Sequence, residues 1–155
     1  MKVLWASDRE PALNDHLAQW ASFKLYGHLR GFGPATTMGV FEGPNIIAVM
    51  VFHDYSSERG VIEVSGVAED PRWLKRHVLR ELFSYPFEQL KCQLVVMRVS
   101  EKNARLRRIL TAYGFDAFRI PRLKGRDEAE IIYTLTDDAW KANGFSRHHA
   151  KIAAE

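Results

Sequence analysis

The stretch VAEDPRWLKRHVLREL, residues 67–82, passes from a strand-like run into a helix-like run through a cluster of cationic side chains. Within it, Leu74, Val78 and Leu82 recur at the spacing of one helix face. The start of a helix presents unpaired N–H groups and the positive end of the helix dipole. The stretch therefore predicts a strand followed by a helix whose first turn suits an anion such as a diphosphate.

Outward from this stretch, the composition indicates one globular domain. The chain has 155 residues, of which 46% are hydrophobic and 26% charged, enough for one substantial core. We predict a domain over residues 1–144 and a basic tail over 145–155. The longest apolar run, residues 46–52, is far below the roughly 18 residues of a membrane span, and charge appears early at the N-terminus. We therefore expect a cytoplasmic protein with no membrane partner.

The single cysteine and the distribution of charge narrow the class further. Cys92 has no partner for an internal disulfide, and we interpret it as a small hydrophobic strand residue. A net charge of +3 suggests an anionic partner, yet the 22 basic residues are interspersed with 19 acidic ones. Long basic runs are typical of nucleic-acid arms, so a nucleic-acid partner is not favoured. The histidines have no spaced partners, and we predict no metal site.

The predicted elements follow the order β, α, three β, α, β, α, two β. The first helix spans residues 8–27, with Asp8 as its candidate N-cap and Pro11 in its first turn. Both alternation classes of residues 46–53 and 93–99 are apolar, which predicts two strands that are buried on both faces. A short last helix is predicted from the cap Thr136 to Gly144.

Pro86 is expected to bend or end the helix that starts near Trp73, because proline lacks the N–H and collides with the preceding turn. Phe83 and Phe87 would then both pack against the sheet.

The segment SEKNARLRRILTAYGF, residues 100–115, combines an apolar helix stripe with Gly114 in position for a left-handed cap. A buried strand followed by an Asn that opens a helix ending in Gly-Phe resembles the GNAT superfamily of N-acetyltransferases. The resemblance covers nearly the whole chain. More narrowly, residues 70–92 together with Asn103 and Trp140 are similar to small acetyltransferases of phages and prophages, for which the location would be the host cytoplasm.

This resemblance implies the fold and the cofactor. The fold would be α/β (α+β): a mixed, mostly antiparallel sheet of about six to seven strands, splayed in a V and flanked by helices on both faces. Acetyl-CoA would lie between strands 61–68 and 92–99, with its diphosphate at the start of the following helix. The residues expected to bind it are Gly66, Val67, Ala68, Arg72, Trp73, Leu74, Lys75, Arg76, His77, Val78 and Asn103.

The phosphate-binding segment departs from the family pattern of Arg or Gln, two residues, Gly, one residue, and Gly or Ala. The matching positions here are Arg72, Lys75 and His77, so both glycine positions are lost. Close backbone approach is then harder, and charge has to compensate for fit. From residue types alone, the alternative is a solvated basic helix face.

Glu63 is the candidate general base, because it is the only carboxylate in the strand 61–68 and matches a position where many superfamily members carry a base. Strand alternation puts it on one face with Ser65 and Val67. The alternative is a glutamate on a solvated strand edge. His53 and Asp54 are weaker candidates for the general base.

The usual general acid is missing from the sequence, since Leu110 occupies the position of the usual Tyr. We interpret Tyr113 as a core residue with a hydrogen-bonded hydroxyl. Ser100 or water would then supply the proton, although Ser100 is also a candidate N-cap. Backbone N–H groups near residues 66–68 would polarise the carbonyl.

The favoured function is acetyl-CoA-dependent N-acetyl transfer to a small-molecule or protein amine, by direct transfer in a ternary complex, since there is no suitable cysteine relay. Two alternatives remain. One is a non-catalytic nucleic-acid- or protein-binding module of the same fold. The other is an acyltransferase for a nucleobase or a modified nucleotide, and the basic loop of residues 121–126 could position the phosphates of the acceptor. A homodimer is left open.

Overall fold

A computed structural model describes residues 1–143, and the order of their elements is the one predicted. The predicted tail, residues 145–155, lies outside the described residues, and the last helix ends at Ala142 rather than at the predicted Gly144. The described strands are β1 Lys2–Ala6, β2 Ala35–Glu42, β3 Asn45–Ser56, β4 Val61–Ala68, β5 Leu94–Ser100, β6 Asp116–Gly125 and β7 Glu128–Thr136. The helices are α1 Pro11–Tyr26, α2 Arg76–Ser84, α3 Ala104–Tyr113 and α4 Asp137–Ala142.

The strands form one seven-stranded sheet in the order β1-β2-β3-β4-β5-β7-β6. All neighbours are antiparallel except β4 and β5, which are parallel. The parallel ladder covers only three residue pairs, from Val61 with Leu94 to Glu63 with Val96. Beyond it the two strands separate, which leaves one backbone edge open along residues 64–68 and another along 97–100. The predicted mixed, V-splayed fold is confirmed.

The core lies on both faces of the sheet. Residues 47–53 of β3 are all buried, which confirms this strand as central. One face packs against α1 through Leu17, Ala21 and Val51, and the other packs against α2, α3 and α4. Among residues 1–143, no helix is long and apolar enough to cross a membrane.

The expectation of a second two-sided strand is wrong. In β5, Val95, Met97 and Val99 are buried, whereas the intervening Arg98 is exposed. Arg98 pairs with Glu130 across the β5–β7 ladder, with Nη2 2.6 Å from Oε1, so this face of β5 is polar where it borders the cleft described below. Cys92 is buried as expected, but it lies in the loop before β5.

The helix ends differ from the sequence predictions at two places. Asp8 is not an N-cap: α1 begins at Pro11 and Glu10 occupies the cap position without a side-chain bond. One 3-10 turn, Pro71–Trp73, precedes α2, which begins at Arg76 rather than near Trp73.

The prediction for Pro86 is confirmed. At this residue the α-helix gives way to a π-helical turn, Tyr85–Gln89, in which the Leu90 N–H donates to the Tyr85 carbonyl at 3.0 Å. Phe83 and Phe87 are both buried.

Candidate active site

A cleft of about 760 Å³ opens where β4 and β5 separate, and its volume is within the range of small-molecule sites. Its walls come from the end of α1 and the following loop, the diverging strands, α3 and β6. Because two strand edges are unpaired here, their N–H and C=O groups are available to a ligand that carries amides.

Gly66 shapes the β4 side of the cleft. It pairs directly with Met50 on β3, and a Cβ at this position would overlap Met50 Sδ. Glycine therefore lets β4 pass over the Met50 side chain. Gly66, Val67 and Ala68 all line the cleft, as expected for residues that would contact an acyl thioester.

Glu63 stands at the point where the strands begin to separate. It is the last β4 residue paired with β5, it lies opposite His53 on β3, and its side chain is 23% exposed. Burial raises the pKa of this carboxyl, while the charges of His53 and Arg98 act in the opposite direction. A half-buried carboxylate of raised pKa, facing a cleft, has the properties of a general base.

His53, a weaker candidate for the base in the sequence analysis, lies beside Glu63 and forms hydrogen bonds of its own. Its ring is buried, with Nδ1 2.7 Å from Asp54 Oδ2 and Nε2 2.8 Å from Ser65 Oγ. Because the Asp54 carboxylate can only accept, Nδ1 donates to it, and in the neutral imidazole Nε2 then accepts from the Ser65 hydroxyl. Asp54 holds its carboxylate there from a left-handed backbone conformation, φ 52°.

The expectation that His53 is isolated is therefore wrong. The ligand atoms of His53, Asp54 and Glu63 all lie within 4.8 Å of one another, and the distance from His53 Nε2 to Glu63 Oε2 is 3.7 Å. Three such groups are a potential metal-ligand set. Both ring nitrogens, however, already have side-chain hydrogen-bond partners on opposite sides of the imidazole, an arrangement suited to moving protons.

The residues predicted to bind the diphosphate do not all lie together. Trp73 lines the cleft and is 7% exposed, whereas Val78 is fully buried in the core and can offer only its backbone. Arg72 is turned to Asp70, with Nη2 2.6 Å from Oδ2. Lys75 is the N-cap of α2, and it stands with His77 on the exposed surface around the first turn.

Two other predicted residues of that segment occupy different environments. Leu74 packs against the core, and Arg76 is exposed at the first position of α2. The segment thus combines a helix start with exposed cationic side chains, outside the walls of the cleft itself.

Ser100 and Asn103 line the cleft at the start of α3, but both have local partners. Asn103, not Ser100, is the N-cap of α3, and its Oδ1 accepts from the Leu106 N–H at 3.2 Å. The Ser100 hydroxyl donates to Glu128 Oε2 at 2.6 Å, and this bond is the main cause of the lowered pKa of Glu128. Ser100 is therefore a poor proton donor for a ligand.

Tyr113 is a core residue, as interpreted from the sequence. It is 5% exposed, its hydroxyl accepts from Trp140 Nε1 at 3.2 Å, and burial raises its pKa to about 12. Leu110 occupies the position where the sequence resemblance leads one to expect a Tyr as general acid. It is buried at the cleft wall.

Comparison with known proteins places this architecture among acetyltransferase structures. No family model matches the chain, and no curated protein matches it either. A variant of spermidine N-acetyltransferase SpeG from Vibrio cholerae is 10% identical, with a TM-score of 0.69 and coverage of 92% of this chain and 98% of that one. SpeG in a dodecameric, intermediate state is 9% identical, with a TM-score of 0.71 and the same coverage.

A T. thermophilus protein named as an acetyltransferase is 17% identical, with a TM-score of 0.69 and coverage of 98% of this chain and 94% of that one. At these identities the likeness concerns the fold. The chain thus has the fold of these acetyltransferase structures.

Proposed function

We propose that the protein is an N-acetyltransferase that transfers the acetyl group of acetyl-CoA directly to an amine within a ternary complex. The observation that carries this proposal is the position of Glu63, a half-buried carboxyl of raised pKa at the point where β4 and β5 open into a cleft. The open edges of the two strands would hold the amides of the pantetheine arm, and the first turn of α2 would hold the diphosphate.

Glu63 would remove the proton from the acceptor ammonium, since transfer requires a neutral amine. Backbone N–H groups of residues 66–68 on the open edge would stabilise the oxyanion that forms at the acetyl carbonyl. These groups belong to a strand that is already fixed by its ladder with β3, so they need no reorganisation.

The departing thiolate requires a proton, and we assign its donor to Ser65 rather than Ser100. The hydroxyl of Ser100 is committed to Glu128, whereas that of Ser65 donates to His53 Nε2 at 2.8 Å. The proton taken from the amine would pass from Glu63 to His53 and, through Ser65, to sulfur. The amine loses one proton and the sulfur gains one, so the relay returns to its starting state.

The binding-module alternative makes a different prediction. It is favoured by the missing glycines and the basic surface, but Arg119 of β6 is paired with Glu101 and thereby partly neutralised. If the protein is an enzyme, we expect acetyl-CoA to raise its melting temperature. We also expect coenzyme A to be released when the protein is supplied with acetyl-CoA and a panel of amines. Salt-dependent retention on DNA or RNA, with no stabilisation by acetyl-CoA, would refute the proposed enzymatic function and favour a non-catalytic binding module.

The role of Ser65 has a sharper test than loss of activity. A selenoester analogue of acetyl-CoA has a leaving group that needs little protonation, so the Ser65→Ala defect should be much smaller with it than with acetyl-CoA. Ser65→Thr, which keeps the hydroxyl, should retain most activity. An equal defect with both donors would exclude Ser65 as the acid.

A further inference from the structure

The part of the cleft that is lined by the end of α1 and by β6 has a chemical character of its own. We call it the mouth and define it by Tyr26, Arg30, Phe32, Leu123 and Lys124, all of which line the cleft. The first three come from the end of α1 and the loop after it, and the last two come from β6. These are the segments whose loops are expected to select the acceptor.

An aromatic wall connects the mouth to the reacting centre. The rings of Phe32 and His53 are 5.3 Å apart between centroids, and those of Tyr26 and Phe32 are 6.3 Å apart. His53 in turn contacts Ser65 and lies near Glu63. A chain-like acceptor lying along this wall would have one end at Glu63 and the other end at Tyr26.

Two cations from different elements converge on the Tyr26 ring. The guanidinium carbon of Arg30 is 4.9 Å from the ring centroid, and Lys124 Nζ is 5.7 Å from it. Cations over an aromatic face are attracted to the ring but keep their charge. The far end of the aromatic wall therefore carries two positive charges, each in contact with the Tyr26 ring.

Carboxylates in the structure compensate this charge only in part: Glu130 and Glu128 both lie near Lys124. The Glu130 side chain is only 7% exposed and bonds tightly to Arg98, with Nη2 2.6 Å away, but it is 3.9 Å from Lys124. Lys24 is paired with Glu69. Within residues 1–143, Arg30 has no ion pair with a carboxylate. The cleft is thus polarised, with Glu63 and Asp54 at the reacting end and surplus positive charge at the mouth.

We propose that the mouth binds an anionic group of the acceptor, a carboxylate or a phosphate, so that the acceptor is an amine whose opposite end is negatively charged. This inference rests on the proposed function. Such a molecule matches both ends of the polarised cleft. A polyamine such as spermidine, for which SpeG is named, would instead bring a second cation against Arg30 and Lys124.

The test compares acceptors of equal chain length that differ in the remote group: 6-aminohexanoate, 6-aminohexyl phosphate, hexylamine and 1,6-diaminohexane. We expect kcat/KM for an anionic acceptor to exceed that for hexylamine at least about tenfold, the effect of one charge-assisted contact. The two anionic compounds distinguish a carboxylate site from a phosphate site. Preference for hexylamine or the diamine would overturn the proposal.

Arg30→Gln, Lys124→Gln and the double variant locate the effect. The double variant should lose the preference for anions mainly through a higher KM for the anionic acceptors, while its affinity for acetyl-CoA stays unchanged. Arg108→Gln is the matched control, because Arg108 is exposed on α3 and lies outside the cleft lining. A fall in acetyl-CoA affinity would mean that the two cations serve the cofactor, which contradicts the proposal.

Failure of the proposed function is separable from failure of this inference. If no amine is acetylated, calorimetric binding of 6-aminohexanoate and hexylamine to the coenzyme A complex decides the question. Tighter binding of 6-aminohexanoate, lost in the double variant, supports the anion site without catalysis. The inference is refuted if the wild type binds 6-aminohexanoate and hexylamine with equal affinity. It is also refuted if the wild type and the double variant bind 6-aminohexanoate equally well.

Discussion

At the residue scale, the site depends on what surrounds Glu63. The same carboxyl on a solvated strand edge would have an ordinary pKa and would be a weak base near neutral pH. Here it stands between β3 and β5, where burial favours the protonated form and His53 and Arg98 favour the charged one. The balance leaves the pKa raised, and in the proposed mechanism the nearby imidazole would take the accepted proton onward.

Replacement of Glu63 by Gln tests the base directly. We expect turnover to fall by roughly a hundredfold to ten-thousandfold, with acetyl-CoA affinity little changed, because only proton removal is lost. In the wild type the base is active when ionised, so the rate should fall as pH drops through the raised pKa of Glu63. The Gln variant should lack this limb of the pH–rate profile. Retention of the acidic limb would assign it to another group.

Tyr113→Phe is expected to have a small kinetic effect, because its hydroxyl bonds to Trp140 and its pKa of about 12 is unsuited to proton transfer near neutral pH. Its stability effect should be larger. Loss of the acceptor for the buried Trp140 N–H should cost about 1–3 kcal/mol in chemical denaturation. A kinetic defect as large as that of Glu63→Gln would reverse the two assignments.

Particular residues show why the site is only partly readable from the sequence. Strand alternation correctly puts Glu63 and Ser65 on one face, since that needs only the two-residue period. Their link to His53 depends on the register between β3 and β4, which shifts between His53 and Ser56. Likewise, the bond that removes Ser100 from consideration is made by Glu128, 28 residues away along the chain. Local spacing carries no signal for either contact.

At the element scale, the local rules that succeeded are those with local causes. Pro86 ends the α-helical ladder of α2 because it lacks an N–H, and Gly114 caps α3 because it adopts φ 115°. The prediction that β5 is buried on both faces is wrong, because Arg98 interrupts the apolar pattern and pairs with Glu130 on β7. The start of α2 was missed by three residues because the 3-10 turn at Pro71 absorbs part of the helix-like pattern.

The first turn of α2 is the element whose charge should matter most for the cofactor. The double variant Lys75→Glu, Arg76→Glu should weaken binding of coenzyme A, each lost charge-assisted contact being worth about 1.5–3 kcal/mol. Calorimetry measures the change, and Arg9→Glu, Arg108→Glu, at two exposed positions outside the cleft lining, gives a control with the same change in net charge. Unchanged affinity of the α2 variant would exclude this diphosphate position. An equal loss in both variants would indicate a long-range charge effect instead.

At the scale of the whole molecule, the sheet is continuous on either side of the cleft and interrupted only within it. Long ladders join β2 with β3, β3 with β4, β5 with β7, and β6 with β7, whereas β4 and β5 share three pairs. The two halves of the sheet are therefore connected at the narrow end of the V, and a ligand in the cleft would add the hydrogen bonds that the splayed edges lack.

Hydrogen exchange should show this addition. Backbone amides on the open edges, within residues 64–68 and 97–100, should exchange faster than their ladder-bonded neighbours in the free protein. Acetyl-CoA should slow them, because its pantetheine amides would accept from or shield these groups, while amides of the β6–β7 ladder should change little. At a ligand concentration of 100 times Kd, global stability should also rise by about 2.7 kcal/mol. Protection spread evenly over the sheet would indicate only this global effect, and protection confined to β1, which does not line the cleft, would place the ligand outside it.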